Sequence, residues 1–373
     1  MRETAVYLDH AATTLPEAEV LEAMAQAQRA AYNPSALYEG AGEAARLVRR
    51  ARRQVAAMLG ADPAEVYFTS GGTESNSWAL FQAAGRHVVL SAQEHASVIR
   101  AAQAFGCAVT LVQPDREGVI HPEAVAAALR PDTALVSVQA ANNETGVLQP
   151  VHEIYAAARE HRVLFHCDAV QAFGHVPLER SPWDLVSVSA HKVYGPKGVG
   201  CLAVRQTVAL RPMISGGGQE MGMRAGTENV PAICGFGAAS SLAAADMAAR
   251  AERERALTDM LTARLRQSVP GLRLLGAGAA RLPGIAALLL PGLDAEEAIA
   301  RLDGMGVWLS GGAACAAREK APSPVYTAMG LTEKEARQVL RISVGRHTTP
   351  DDMEKAARAI AQVYASRTAM SDR

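Results

Sequence analysis

Lys192 stands where a short apolar run ends and the backbone turns. In residues 184–202, DLVSVSAHKVYGPKGVGCL, apolar and small residues lead to Ser189 and His191, Gly195, Pro196, Gly198 and Gly200 follow, and a second apolar run returns. That order predicts a strand, a turn and a returning strand with the lysine at the bend. A lysine held at the end of a buried strand loses hydration, which lowers its pKa and leaves an amine able to form a Schiff base. A surface lysine in a hairpin has the same features, so a second observation is needed. Residues 163–171, VLFHCDAVQ, supply it as another buried run with Asp168 at its end. A lysine and a carboxylate, both at strand ends, suit pyridoxal 5'-phosphate (PLP), which needs an amine to bond and a carboxylate to keep its pyridine nitrogen protonated.

Other residues complete that chemistry. Gly71, Gly72 and Thr73 follow a strand ending at Ser70 and precede a helical pattern, so free amides and a hydroxyl would face a helix N-terminus, a ready anion site; a plain structural turn is the competing reading. An amino-acid carboxylate calls for a planar arginine fork, and Arg341 and Arg346, in LRISVGRHTT, both answer on sequence alone. Cys315 sits in SGGAACAAREKAPSPVY, where glycines permit movement and charges favour exposure. An exposed thiol that reaches the cofactor can act as a nucleophile there, because the thiolate is the reactive species.

The elements that must place these residues alternate. Short apolar runs at 66–68, 88–90, 109–112, 134–138, 163–165 and 185–188 are separated by helical patterns, which predicts a mostly parallel sheet covered on both faces, with ligands at the carboxyl ends of its strands. Ahead of them come a strand at Val6 to Leu8, a helix opened by Pro16 with Val20, Leu21 and Met24 on one face, and a helix from Glu43 to Leu59. A helix-rich connector, about Ala238 to Gln267, leads to apolar runs at 286–290, 307–309 and 340–344. Thr332 with Glu335 predicts a capping box, and Thr349 with Pro350 starts the last helix.

At 373 residues the chain is long enough for two domains. A net charge of −1 gives no electrostatic case for nucleic acid or an anionic membrane as main partner. The N-terminus has no apolar core of signal-peptide length, and the uncharged stretch Asn229 to Ala245, broken by Pro231, reads as a buried helix start, so a cytoplasmic protein is expected. Five widely spaced cysteines without a CxxC pair argue against a disulfide framework or a zinc site, and no metal is expected.

Nine motifs in order, YLDHAATT, FTSGGTESN, EHASV, NNETGVLQP, HCDAVQ, SAHKVYGPKGVG, GGGQEMGMRAGTEN, SGGAAC and LRISVGRHTT, make the chain similar to the PLP-dependent cysteine desulfurases of the NifS and IscS type, in the class V aminotransferase family. The resemblance implies an α/β chain of fold type I of the PLP-dependent transferases. Its large PLP-binding domain, residues 12–252, would hold a mostly parallel mixed sheet. A smaller α/β C-terminal domain, residues 1–11 and 253–373, would carry the cysteine loop. The resemblance also implies a cofactor site of Gly72, Thr73, His95, Asn143, Asp168, Gln171, Ser189, His191 and Lys192. Ser189 and His191 would join the phosphate, Gln171 the ring hydroxyl, and His95 would stack on the ring and shuttle protons; Thr227 would reach the phosphate of the neighbouring subunit of a homodimer. Asn143 and Arg341 would bind the substrate carboxylate, with Asn142 a turn residue and His166 a supporting one. The activity implied is conversion of L-cysteine to L-alanine, with Lys192, His95 and Cys315 catalytic and a persulfide on Cys315 passed to a sulfur-acceptor protein such as an iron-sulfur cluster scaffold.

A selenocysteine lyase or aminotransferase of the same fold would share Lys192 and Asp168 without needing Cys315, and a non-catalytic scaffold would need none of them. The spacing from Cys315 to Pro322 and Ser323 matches the longer-loop desulfurases. Two departures bear on the acceptor: Arg318, Glu319 and Lys320 replace the small polar residues common in that loop, and the end at Arg373 leads us to expect no longer C-terminal extension of the kind that docks a scaffold protein.

Overall fold

The computed structural model describes residues 5–29, 32–178, 182–312 and 322–371. The chain opens with a short strand, β1 (Val6–Tyr7), and two helices, α1 (Ala18–Arg29) and α2 (Glu39–Leu59). In α2 the residues Ala44, Val48, Ala51, Val55 and Met58 recur at spacings of three and four and are all buried, as the periodicity predicts. In α1 Val20 is buried but Leu21 is 52% exposed; consecutive residues on a helix point about 100° apart, so the two cannot share one face.

Alternation then takes over with β2 (Val66–Thr69), α3 (Gly72–Phe81), β3 (His87–Ser91), α4 (Ala96–Ala104), β4 (Ala108–Val112), α5 (Pro122–Ala128), β5 (Thr133–Ser137), α6 (Val151–Glu160), β6 (Leu164–Asp168), β7 (Leu185–Ser189) and β8 (Gly200–Val204). Among the described residues these strands form one seven-stranded sheet in the order β2-β8-β7-β6-β5-β3-β4. From β4 to β7 all pairings are parallel, while β8 runs antiparallel to both β2 and β7. The predicted strand, bend and returning strand are β7 and β8, with Ser189 opposite Gly200. The expectation of cover on both faces fails at one place: β4 is an edge strand, and its Val109 and Leu111 are exposed.

A 39-residue helix, α7 (Val230–Ser268), starts at the N-cap Asn229 and includes the connector predicted from sequence. It is long and apolar enough to cross a membrane by composition, and α1 and α2 pack along it. Its residues up to Ala243 belong to the core under the large sheet, and Leu257, Leu261 and Leu265 belong to a second core. Burying each of those leucines contributes roughly 1.5–3 kcal/mol.

That second core is built on β9 (Arg273–Leu274), β10 (Ile285–Leu289), α8 (Ala295–Gly304), β11 (Val307–Trp308), β12 (Val339–Ser343) and α11 (Pro350–Ser371), while α9 (Pro324–Ala328) and α10 (Glu333–Ala336) pack Val325, Tyr326 and Ala336 into a smaller cluster with Ala287, Leu289 and Val339. β10 pairs with β12 and β9, and β1 crosses from the chain start to lie parallel to β11. Thr332 and Glu335 form the predicted capping box: the Glu335 N–H donates to Thr332 Oγ1 at 3.2 Å, and the Thr332 N–H donates to Glu335 Oε2 at 2.9 Å. Thr349 and Asp352 make the same exchange at the start of α11.

Candidate active site

Where β7 ends, a single 3-10 turn, Ala190–Lys192, leads the chain away from the sheet. The N-terminal segment crosses this turn: Thr14 Oγ1 donates to the His191 carbonyl at 2.9 Å and accepts from the Tyr194 N–H at 2.7 Å. Lys192 Nζ donates to the carbonyl oxygens of Ala11 and, at 2.9 Å, Ala12. Two carbonyls of YLDHAATT therefore hold the amine, a role for that motif that sequence reasoning left unassigned. Tyr194 follows at φ +65, which turns the chain back toward β8.

Lys192 lines a cavity of about 790 Å³ together with Gly72, Thr73, His95, Asn143, Asp168, Gln171, Ser189, His191 and Arg341. Asp168 is buried at the end of β6, where Oδ1 accepts the Val170 N–H at 2.9 Å and Oδ2 accepts from Asn76 Nδ2 at 2.7 Å. His95 caps α4: its Nδ1 accepts the Ser97 N–H at 3.1 Å, which leaves Nε2 to carry the proton of the neutral ring. Solvent reaches His95 through the cavity, yet protein surrounds it elsewhere. That burial lowers its pKa, with the Asp168 charge opposing and the Lys192 charge assisting.

Neighbouring Glu94 escaped sequence reasoning although EHASV contains it. Its carboxyl is fully enclosed, and burial followed by the Asp168 charge pushes its pKa well above the usual carboxylate value, favouring the protonated form. His191 is lowered to about 4 by burial and by the charges of Lys192 and Lys197, so it meets the cavity as a neutral ring.

Arg341 comes from β12 on the opposite wall and is 1% exposed. Its Nη2 donates to Asp9 Oδ1 at 2.6 Å and its Nη1 to the Asn143 carbonyl at 3.0 Å. Asn142 is a turn residue, its Oδ1 accepting the N–H groups of Glu144 and Thr145 at 2.9 Å each. The rival Arg346 lies outside this cavity, tied to Asp246 at 3.0 Å and stacked on Tyr194. His166 also lies outside it, buried between the hydroxyls of Ser137 and Ser187 at 2.8 and 2.9 Å. Thr227 is exposed and does not line this cavity. Cys315 lies outside the described residues. Burial raises the thiol pKa values of Cys107, Cys167, Cys201 and Cys234, so the four described cysteines are poor nucleophiles.

The residues fit PLP. Gln171 Oε1 is buried at the cavity wall without a hydrogen-bond partner among the described residues, an acceptor available to a ring hydroxyl. Across the cavity the N-terminus of α3 presents first-turn N–H groups that helix geometry leaves unpaired, as a phosphate requires. The sheet crowds that terminus closely: a Cβ at Gly200 would stand 2.8 Å from the Gly71 Cα and 2.5 Å from the Val188 carbonyl, so only glycine lets β8 pass there.

Burial also sets the acid limit of the fold. His166 is lowered to about 3, and His10 and His175 to about 4, each mainly by desolvation. Between those values and 6.5 the folded chain binds fewer protons than the unfolded one, so stability rises with pH through that window and is lost as pH falls. Glu254, raised to about 7 by burial, works the other way: its folded form holds the extra proton, and stability falls as pH rises toward 7. We expect the free energy of unfolding to drop from pH 6.5 to 4, and His166→Asn to reduce the slope by about 1.4 kcal/mol per pH unit. An unchanged slope in that variant would show that His166 is protonated without cost.

A family model described as "Aminotransferase class-V" matches residues 6–355. A protein named cysteine desulfurase IscS, from Methanosarcina thermophila, is 37% identical in an alignment covering 98% of this chain and 94% of its own. A solved structure titled "NIFS-LIKE PROTEIN" superposes with a TM-score of 0.90 at 32% identity, covering 97% of this chain and all of that one. Another, titled "SspA in complex with cysteine", gives a TM-score of 0.81 at 33% identity over 92% of this chain and 99% of its own.

Proposed function

The chain belongs to the class-V aminotransferase family, and from that premise we propose that it is a PLP-dependent L-cysteine desulfurase. The observation that carries this reading is one cavity whose wall brings the Lys192 amine, the Asp168 carboxylate and the Arg341 guanidinium together. When bound, PLP supplies an electron sink for bonds broken around the amino-acid α-carbon. Thr73, Gly72, Ser189 and His191 would hold its phosphate, Asp168 its ring nitrogen and Gln171 its ring hydroxyl, and Lys192 would tether it.

The remaining steps belong to the chain's own residues. Arg341, held flat by Asp9 and the Asn143 carbonyl, binds the carboxylate of cysteine and orients the amino acid. Lys192 Nζ moves the α-proton, with the Ala11 and Ala12 carbonyls fixing where the amine stands. His95, kept neutral by burial, exchanges a proton at Nε2. Cys315 attacks the sulfur of cysteine as its thiolate, the S–S bond forming as the substrate Cβ–S bond breaks. One sulfur atom passes to the enzyme, and alanine leaves after the carbon takes up a proton.

A homodimer is part of the proposal. Thr227, exposed and outside its own chain's cavity, is free to serve a neighbouring subunit, and the exposed Ile214 and Met221 lie in the same stretch. The persulfide would then pass to a sulfur-acceptor protein. After incubation with cysteine, a mass spectrum of the digested protein should show the Cys315 peptide heavier by one sulfur atom, an increment that a reducing agent removes. Sulfur found only on another cysteine, or on none, would overturn the proposal.

A further inference from the structure

One oxygen of Glu144 is hydrogen-bonded to one flank of the segment that carries Cys315 and lies beside the other. Oε2 of Glu144 accepts a hydrogen bond from Ser323 Oγ at 2.7 Å, on the C-terminal flank. On the N-terminal flank, a Cβ at Gly312 would stand 2.8 Å from the same oxygen, and Gly312 adopts φ +118, a backbone conformation that favours glycine. Glu144 is 2% exposed and lines the cavity beside Asn143, whose carbonyl receives Arg341.

Each flank is also tied to the wall in other ways. Ser323 Oγ accepts the Val325 N–H at 3.1 Å and so caps α9. Tyr326 of that helix is fully buried, with a ring carbon 3.1 Å from where a Gly312 Cβ would lie. The Ser310 carbonyl accepts the Arg341 N–H at 2.7 Å, and Ser310 Oγ donates to the Gly312 carbonyl at 3.0 Å. Both ends of the Cys315 segment thus return to the wall that holds Arg341, and Glu144 Oε2 and the Tyr326 ring both lie beside Gly312.

We propose that Glu144 is a positioning residue that fastens the Ser323 flank of this segment at the substrate end of the cavity, beside Gly312 on the other flank, and so sets how readily Cys315 takes sulfur. The inference rests on the desulfurase reading. A buried carboxyl oxygen that accepts a hydroxyl hydrogen bond leaves the donor unsatisfied if it is removed, which suits an anchor. Arg341 keeps Asp9 and the Asn143 carbonyl without it, so cysteine binding should survive loss of the Glu144 side chain while sulfur transfer does not.

Two measurements on the full-length holoenzyme test this: steady-state alanine formation, and tryptic cleavage after Arg318 or Lys320. Glu144→Ala should lower kcat at least about tenfold with KM within about twofold, and speed cleavage several-fold. Glu144→Gln, which keeps the size and one acceptor oxygen, should return both to within about threefold of the parent. Ser323→Ala should show the same split with a smaller loss. A parental kcat in Glu144→Ala, a KM that rises in step with the loss, or a Glu144→Gln variant no better than alanine would each overturn the role. Should Glu144→Ala not fold, Ser323→Ala decides, and parental kcat with parental cleavage overturns the role. Cys315→Ala separates the two ideas: continued alanine formation there removes the desulfurase reading, whereas its loss beside parental Glu144→Ala and Ser323→Ala removes only the positioning role.

Discussion

Replacing Lys192 by alanine will lower alanine formation from cysteine by at least about 10³-fold, because the proposed roles place both the covalent tether and the base on this one side chain. The loss should not be structural. The Lys192 amine donates to the Ala11 and Ala12 carbonyls, and Thr14 laces the same turn independently through the His191 carbonyl and the Tyr194 N–H. Melting temperature should therefore stay within a few degrees of the parent. Borohydride reduction of the parent followed by peptide mapping should mark Lys192, and the alanine variant should take up no mark. Labelling of a different lysine would remove the basis for the whole site.

Cys315→Ala should be equally damaging to sulfur transfer, at least about 10³-fold, but with an opposite spectroscopic result. All the described cofactor-site residues remain in place, so the bound cofactor's visible absorbance, and its change on adding cysteine, should persist while no persulfide forms. The four described cysteines cannot substitute, because burial holds each thiol protonated. Full alanine formation in this variant would favour an aminotransferase or lyase of the same fold. Loss of activity together with loss of absorbance would indicate damage to the cofactor site instead.

Features governed by local rules were legible in the sequence. The apolar run, glycine-rich bend and returning run around Lys192 are β7 and β8, and the Thr332 capping box needed only residues three apart. Local patterns failed where a tertiary neighbour decides. Whether an apolar run is an inner or an edge strand depends on what pairs beside it, which is why exposed Val109 and Leu111 in β4 read the same as buried positions. Similarly, Leu21 shares the apolar character of Val20 but not its direction.

The site shows the same division. Lys192 and Asp168 could be named from their chemistry at strand ends, whereas His95 and the choice of Arg341 over Arg346 came from the resemblance. Their supports could not, although Asp9, Asn76, Glu94 and Glu144 all fall inside the recognised motifs. Asp9 meets Arg341 across 332 positions and Asn76 meets Asp168 across 92, so spacing along the chain carries no trace of either contact. Arg341 and Arg346 differ only in place: the first lies within β12, facing the cavity, and the second lies beyond the strand's end, where Glu17 and Asp246 hold it.

Helix α7 runs without a break through both hydrophobic cores, a rod of roughly 60 Å at 1.5 Å per residue. Swinging the lysine-bearing half away from the arginine-bearing half would have to snap this rod and forfeit its internal hydrogen bonds. The gap between amine and guanidinium is therefore fixed when the polypeptide folds, and the incoming amino acid meets a ruler already cut to its length.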